Sequence, residues 1–78
     1  MRYLKLCGCS VYISVEVSED GKSWEHRLWT AMQLLQILRD CFPAYFEKVR
    51  DAATDGVTAE LVFRVFGAGY VFDREEVK

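Results

Sequence analysis

Proline appears once, at Pro43, and no stretch is dominated by glycine or serine. Flexible linkers and low-complexity segments are thereby excluded, and with them an intrinsically disordered chain. No apolar run approaches the roughly 18 residues of a membrane-spanning helix. The opening Met1-Arg2-Tyr3-Leu4-Lys5-Leu6 is too short in apolar residues for a secretory signal, so a cytoplasmic protein without membrane contact is expected. An excess of one charge is also missing. Ten Lys and Arg stand against twelve Asp and Glu, interspersed, for a net charge of −2. With no basic run to neutralise phosphates, nucleic acid is not an expected partner.

Residues that carry chemistry are equally sparse. Histidine occurs once, at His26, and no partner for a general base can be picked out. The three cysteines, Cys7, Cys9 and Cys41, are odd in number and contain no C-x-x-C spacing. That excludes a disulfide framework and leaves free thiols in a reducing compartment. Cys7-Gly8-Cys9 is the one chemical-looking motif. A tetrahedral metal site needs about four ligands, and the others would have to come from Cys41, His26 or scattered carboxylates. On a strand, positions 7 and 9 share a face and serve as small packing residues. No cofactor, metal or catalytic group is therefore expected. Gly67-Ala68-Gly69 lacks the longer nucleotide-binding fingerprint and reads as a hairpin turn.

What remains is a chain of 78 residues, 51% hydrophobic and 14% aromatic, enough for one compact domain over residues 1–78. Val11, Ile13, Val15 and Val17 alternate with Tyr12, Ser14, Glu16 and Ser18, the period of a half-buried strand. Residues 2–18 read as one strand bent at Gly8. Asp20-Gly21 fits a two-residue hairpin turn. That turn pairs Val17 with Trp24, Val15 with His26 and Ile13 with Leu28 on the buried face. It leaves Glu16 opposite Glu25, Ser14 opposite Arg27 and Tyr12 opposite Trp29 on the other. Glu16, Glu19, Asp20 and Glu25 make the hairpin tip mildly acidic, which suits a solvated end.

Thr30 and Gln33 fit a capping box, flanked by a Trp29–Leu34 hydrophobic staple. A helix follows, with Leu34, Leu35, Leu38, Cys41 and Phe42 on one stripe. Pro43 breaks or kinks it, and a second helical segment covers residues 44–54. Residues 57–66 alternate as a strand, and residues 70–74 return from the glycine turn as the last one. Residues 75–78, with Glu75 and Glu76, are expected to fray. The expected fold is α+β: a mainly antiparallel sheet of about four strands, built from two hairpins, with one kinked or two short helices on one face.

This arrangement places Tyr12, Trp29, Val62 and Phe66 on the sheet face away from the helices, together with Tyr70 or Phe72. Apolar patches on so small a domain mark interaction surfaces, and aromatic and arginine anchors dominate such interfaces. The expected function is thus a small non-enzymatic protein-binding module, with Arg27 and Arg64 supplying orienting charge. An inhibitor or adaptor encoded by a phage or mobile element fits such a chain. Two other classes compete with it. One is a homodimer whose open faces pack together; the other is a metal or redox protein built on the cysteines.

Overall fold

In the computed structural model, which describes residues 1–75, a four-stranded antiparallel sheet is packed on one side by three helices. Strands β1 (Tyr3–Cys9), β2 (Ile13–Ser18) and β3 (Glu25–Trp29) form a meander. Helices α1 (Ala31–Cys41), α2 (Pro43–Ala52) and α3 (Ala59–Phe66) follow, and β4 (Val71–Asp73) returns to the sheet. The spatial order is β3-β2-β1-β4, so β4 pairs antiparallel with β1. The expected α+β class and four-stranded sheet are present. The expected fraying of residues 76–78 lies outside the described residues.

The core forms where the alternating apolar positions of the sheet meet the helix stripes. Leu4 and Leu6 from β1, Ile13 and Val15 from β2 and Phe72 from β4 pack on Leu34, Leu38, Phe42, Phe46, Val49 and Val62. Thr30 caps α1 as its spacing predicts. Its hydroxyl accepts from the Gln33 amide at 3.2 Å, and the Gln33 side chain accepts from the Thr30 amide at 2.9 Å. Pro43 starts α2 at a position where its missing N–H removes no helical bond. Phe42 closes α1 and opens α2, with φ −131 and ψ 55, outside the helical region that a residue before proline avoids. The two short helices of the sequence reading are therefore both observed.

Four expectations are corrected. First, the chain reverses between β1 and β2 at Ser10–Tyr12, where the Ser10 amide donates to the Tyr12 carbonyl at 3.2 Å. Residues 2–18 are two strands, and Gly8 marks a bulge, because the register shifts between Leu6 and Gly8. The bulge leaves Cys7 as the extra residue. Cys9 then pairs with the inward Ile13, while Cys7 stays on the open face beside Lys5 and Glu16. The two thiols lie on opposite faces, and burial pushes the Cys7 thiol up from its ordinary value, which disfavours the thiolate.

Second, the β2–β3 register is one residue away from the expected one. Ile13 pairs with Trp29, Val15 with Arg27, Glu16 with His26 and Val17 with Glu25. The cause is the loop. Asp20 Oδ1 accepts from the Ser18 hydroxyl at 3.1 Å and from the Lys22 and Ser23 amides at 2.8 and 2.9 Å, and the Ser18 hydroxyl accepts from the Gly21 amide at 2.8 Å. This side-chain-braced loop holds an odd number of residues in place of the two-residue turn, with Gly21 at φ 79. A shift by one exchanges the faces of β3. Trp29 turns to the helix side as the staple requires, and His26 and Leu28 turn to the open side. The Glu16–Glu25 opposition also disappears.

Third, residues 57–66 are not a strand. Thr58 caps α3, its hydroxyl accepting from the Leu61 amide at 3.1 Å, and Gly67 at φ 94 ends it. Ala59 and Val62 are buried and Phe66 packs against the core, a helical spacing. Fourth, Gly67-Ala68-Gly69 accordingly joins a helix to a strand, and the expected second hairpin is replaced by the β1–β4 pairing.

Along β1 the backbone groups alternate between neighbours. The Leu6 amide donates to the Tyr70 carbonyl at 3.0 Å and the Arg74 amide to the Arg2 carbonyl at 2.8 Å, so between Tyr3 and Leu6, before the bulge, Leu4 and Leu6 face β4 and Tyr3 and Lys5 face β2, while the Arg2 amide donates to the Ser18 carbonyl at 3.1 Å. At the outer end of this pairing Arg2 Nε lies 3.1 Å from Asp73 Oδ1.

Hydrogen bonds from Arg2 and the Glu75 amide hold the Asp73 carboxyl below the ordinary 3.8. Amide donors from Ser23 and Lys22 and the Ser18 hydroxyl do the same for Asp20. A carboxyl held low in the folded chain stabilises it fully above the ordinary aspartate value, and that stability is lost as pH falls through the lower folded value. The urea midpoint should therefore drop as pH is lowered from about 5 to about 2, and Asp20→Asn should flatten that slope. An unchanged slope in the variant would show that the loop carboxylate contributes nothing to acid sensitivity.

Candidate binding surface

The expected patch is not assembled. Val62 is fully buried in α3, and Trp29 packs against the core from the helix side of the sheet. Phe66 belongs to an aromatic cluster on the helix side, 5.0 Å from Phe72 and 4.8 Å from Tyr70 between ring centroids. Arg27 lies on β3 and its guanidinium bonds Glu25 at 2.5 Å. Arg64 is exposed in the last turn of α3. Of the six residues proposed from sequence, Tyr12 alone is a large apolar side chain well exposed to solvent, at 55%.

A different surface gathers around it. Val11 is 89% exposed, Leu28 62% and Met32 80%. The β2–β3 register brings them to one end of the sheet. Tyr12 and Val11 precede Ile13, whose partner is Trp29; Leu28 sits beside Ser14; Met32 follows two residues after Thr30. Two local devices fix this end. The Ser10 hydroxyl and amide both bond the Tyr12 carbonyl, which holds the β1–β2 turn. The Thr30 capping box holds the first turn of α1 and points Met32 away from the Leu34–Leu38 stripe.

Beside Val11 lies an open cleft of about 380 Å³ between this turn and the starts of α1 and α3. Ile13 and Ala59 form its apolar floor, and Val11, Ala31, Thr58 and Glu60 surround it. Small residues at positions 31 and 59 leave the hollow unfilled.

The rest of the open face is occupied by its own contacts. Lys5 sits 4.7 Å above the Trp24 ring and 3.4 Å from Glu16, and Tyr3 packs against Trp24 at 6.4 Å. The ring of Tyr3 also covers Gly21, where an added Cβ would meet it at 3.3 Å. His26 Nε2 and the Ser14 hydroxyl are 2.8 Å apart. Each carboxylate of the acidic tip has a partner: Glu16 has Lys5, Glu19 the chain's terminal amine, Asp20 its loop amides and Glu25 the Arg27 guanidinium. Among the described residues no group of three or more His, Cys, Asp or Glu could hold a metal ion, and no helix is long and apolar enough to cross a membrane.

Sequence reasoning missed Val11, Leu28 and Met32. Val11 and Leu28 were counted as inward residues of the two strands, an error of one turn and one register step. Met32 was legible: it falls off the i, i+3, i+4 stripe of α1. No protein-family profile, curated protein or solved structure matches the chain.

Proposed function

We propose that this chain is a small non-enzymatic protein-binding module, an inhibitor or adaptor, that docks through the end of the sheet carrying Val11, Tyr12 and Met32. The observation that carries the reading is the exposure of these three side chains at the sheet end where β2 begins and β3 leads into α1, with Val11 also lining an apolar-floored cleft. A domain this small gains nothing in its own stability from side chains held so far into solvent. Clustered exposure of large apolar residues is the mark of a surface covered in a complex. The bound partner is a protein that offers an apolar side chain to the cleft and an apolar rim to Tyr12 and Met32, since aromatic and methionine side chains are enriched at such contacts.

The test is capture of partners by the native chain against capture by the Tyr12→Asp, Met32→Asp double variant. Both positions are exposed, so circular dichroism and melting should be unchanged within about 0.5 kcal/mol of stability. Binding of the same prey should weaken by roughly thirtyfold or more, as expected when interface anchors worth about 2 kcal/mol are removed. Prey retained at native strength by the double variant would reject this surface.

A further inference from the structure

The sheet has two edges, and they are not equivalent. The β4 edge offers three residues, one of which, Asp73, is tied to Arg2. The β3 edge offers five, Glu25-His26-Arg27-Leu28-Trp29, of which the first four are exposed. The alternation that begins in β1 fixes which of their backbone groups point away from β2. Tyr3 and Lys5 of β1 bond β2, so Ser18 and Glu16 face β1 and Val17, Val15 and Ile13 face β3. Their partners Glu25, Arg27 and Trp29 spend their backbone groups on β2. The amides and carbonyls of His26 and Leu28 point outward, away from the sheet, and the His26 carbonyl accepts a local bond from its neighbour, Arg27 Nη1, at 3.1 Å.

We infer that this edge pairs antiparallel with the β3 edge of a second copy of the chain, about a two-fold axis at His26. A two-fold axis normal to the sheet keeps the helices of both copies on one side and pairs residues of like face. It admits a few registers, and the side chains separate them. An axis at Glu25 sets Glu25 against its own copy, and one at Arg27 does the same for Arg27, each a like-charge opposition. An axis at Leu28 needs the Thr30 amide, which the Gln33 side chain already holds. The axis at His26 sets Glu25 against the partner's Arg27 and Arg27 against the partner's Glu25. His26 exchanges both backbone bonds with its own copy: its carbonyl has a second lone pair beside the Arg27 bond, and the Arg27 guanidinium turns from its own Glu25 to the partner's. Leu28 meets the partner's Trp24 on the open face. Charges on an edge strand ordinarily ward off pairing. Here they alternate in sign two residues apart, which makes the strand complementary to itself in one register. The product is an eight-stranded sheet ordered β4-β1-β2-β3 and back again.

The test is sedimentation velocity on the full chain from low micromolar to roughly millimolar concentration, with four variants. The native chain should pass from monomer to dimer over this range. Arg27→Glu should weaken the dimer about tenfold or more, because symmetry replaces two favourable cross-strand pairs with two repulsive ones. Exchanging both residues, Glu25→Arg with Arg27→Glu, should restore the native affinity. His26→Pro removes an outward amide that β2 does not use, and should abolish the dimer while circular dichroism stays native. Ser14→Ala removes the same His26 side-chain bond without touching the edge, and should dimerise normally. A native chain that stays monomeric throughout overturns the inference. So does a dimer indifferent to Arg27→Glu, or a double exchange that stays monomeric. None of these variants touches Val11, Tyr12 or Met32, so this result and that of the docking test are independent.

Discussion

Replacing Phe72 by alanine should cost the domain about 3–5 kcal/mol, the usual range for deleting a buried aromatic side chain. Phe72 is fully buried, and its ring centroid lies 4.7 Å from Tyr45, 5.0 Å from Phe66 and 5.8 Å from Phe42. It joins β4 to α2, to α3 and to the Phe42 cap between α1 and α2 through one side chain. A strand of three residues has few backbone bonds of its own, so the ring does most of the work of holding it. A domain of this size is stabilised by roughly 5–10 kcal/mol in total, so the variant should lose about half of its margin and unfold at a much lower urea concentration. Urea unfolding followed by tryptophan fluorescence would measure it. Phe72→Leu keeps most of the volume and should cost clearly less, about 1–2 kcal/mol. A Phe72→Ala midpoint within about 1 kcal/mol of the native one would mean that the aromatic cluster does not anchor β4.

Val62→Asp is the second large effect, and it separates the two readings of residues 57–66. On a strand with Val62 facing outward, aspartate there would leave the fold intact. On α3 the side chain is fully buried, and an unpaired carboxylate in that position costs more than about 4 kcal/mol. The variant should lose the far-UV signal of the folded chain or become insoluble on expression. Arg64→Ala, two residues on and exposed, should stay within about 0.5 kcal/mol of native. A folded Val62→Asp protein with native circular dichroism would reinstate the strand.

These two experiments also mark where the sequence stopped being legible. The capping box at Thr30 and the break at Pro43 were readable because each is a local event, decided by side chains three residues apart or by a missing N–H. The inward face of β2 was readable because Ile13 and Val15 leave no other choice. The register of β3 was not. Its five residues hold only Leu28 and Trp29 as apolar members, adjacent to each other, so either face can be turned inward and the loop decides. Residues 57–66 matched a strand by alternation and by their valines and phenylalanines. The competing signals were a capping threonine, Glu60 in the first turn, Arg64 in the last and a glycine after it, a full set of helix-end cues. Propensity was overridden by tertiary context: β4 occupies the edge of β1, and the covered face needs a third helix over Leu6 and Phe72. The proposed docking patch inherited both errors. Trp29 depended on the register, Val62 and Phe66 on the strand, and only Tyr12 depended on neither.

The alternation of backbone groups along β1 has a kinetic meaning. Before the bulge, Tyr3 and Lys5 close against β2, a neighbour reached by a three-residue turn, whereas Leu4 and Leu6 wait for a strand far along the chain, Leu4 for Phe72. Bringing distant segments together is slower than closing a short loop, so the meander should assemble first and β4 dock last. Adjacent amides of one strand therefore belong to two different cooperative units. The opening of the β4 side exposes Leu4 and Leu6 to solvent hydrogen while Tyr3 and Lys5 stay protected. Strand β1 is thus both part of the locally closed meander and the platform on which β4 docks.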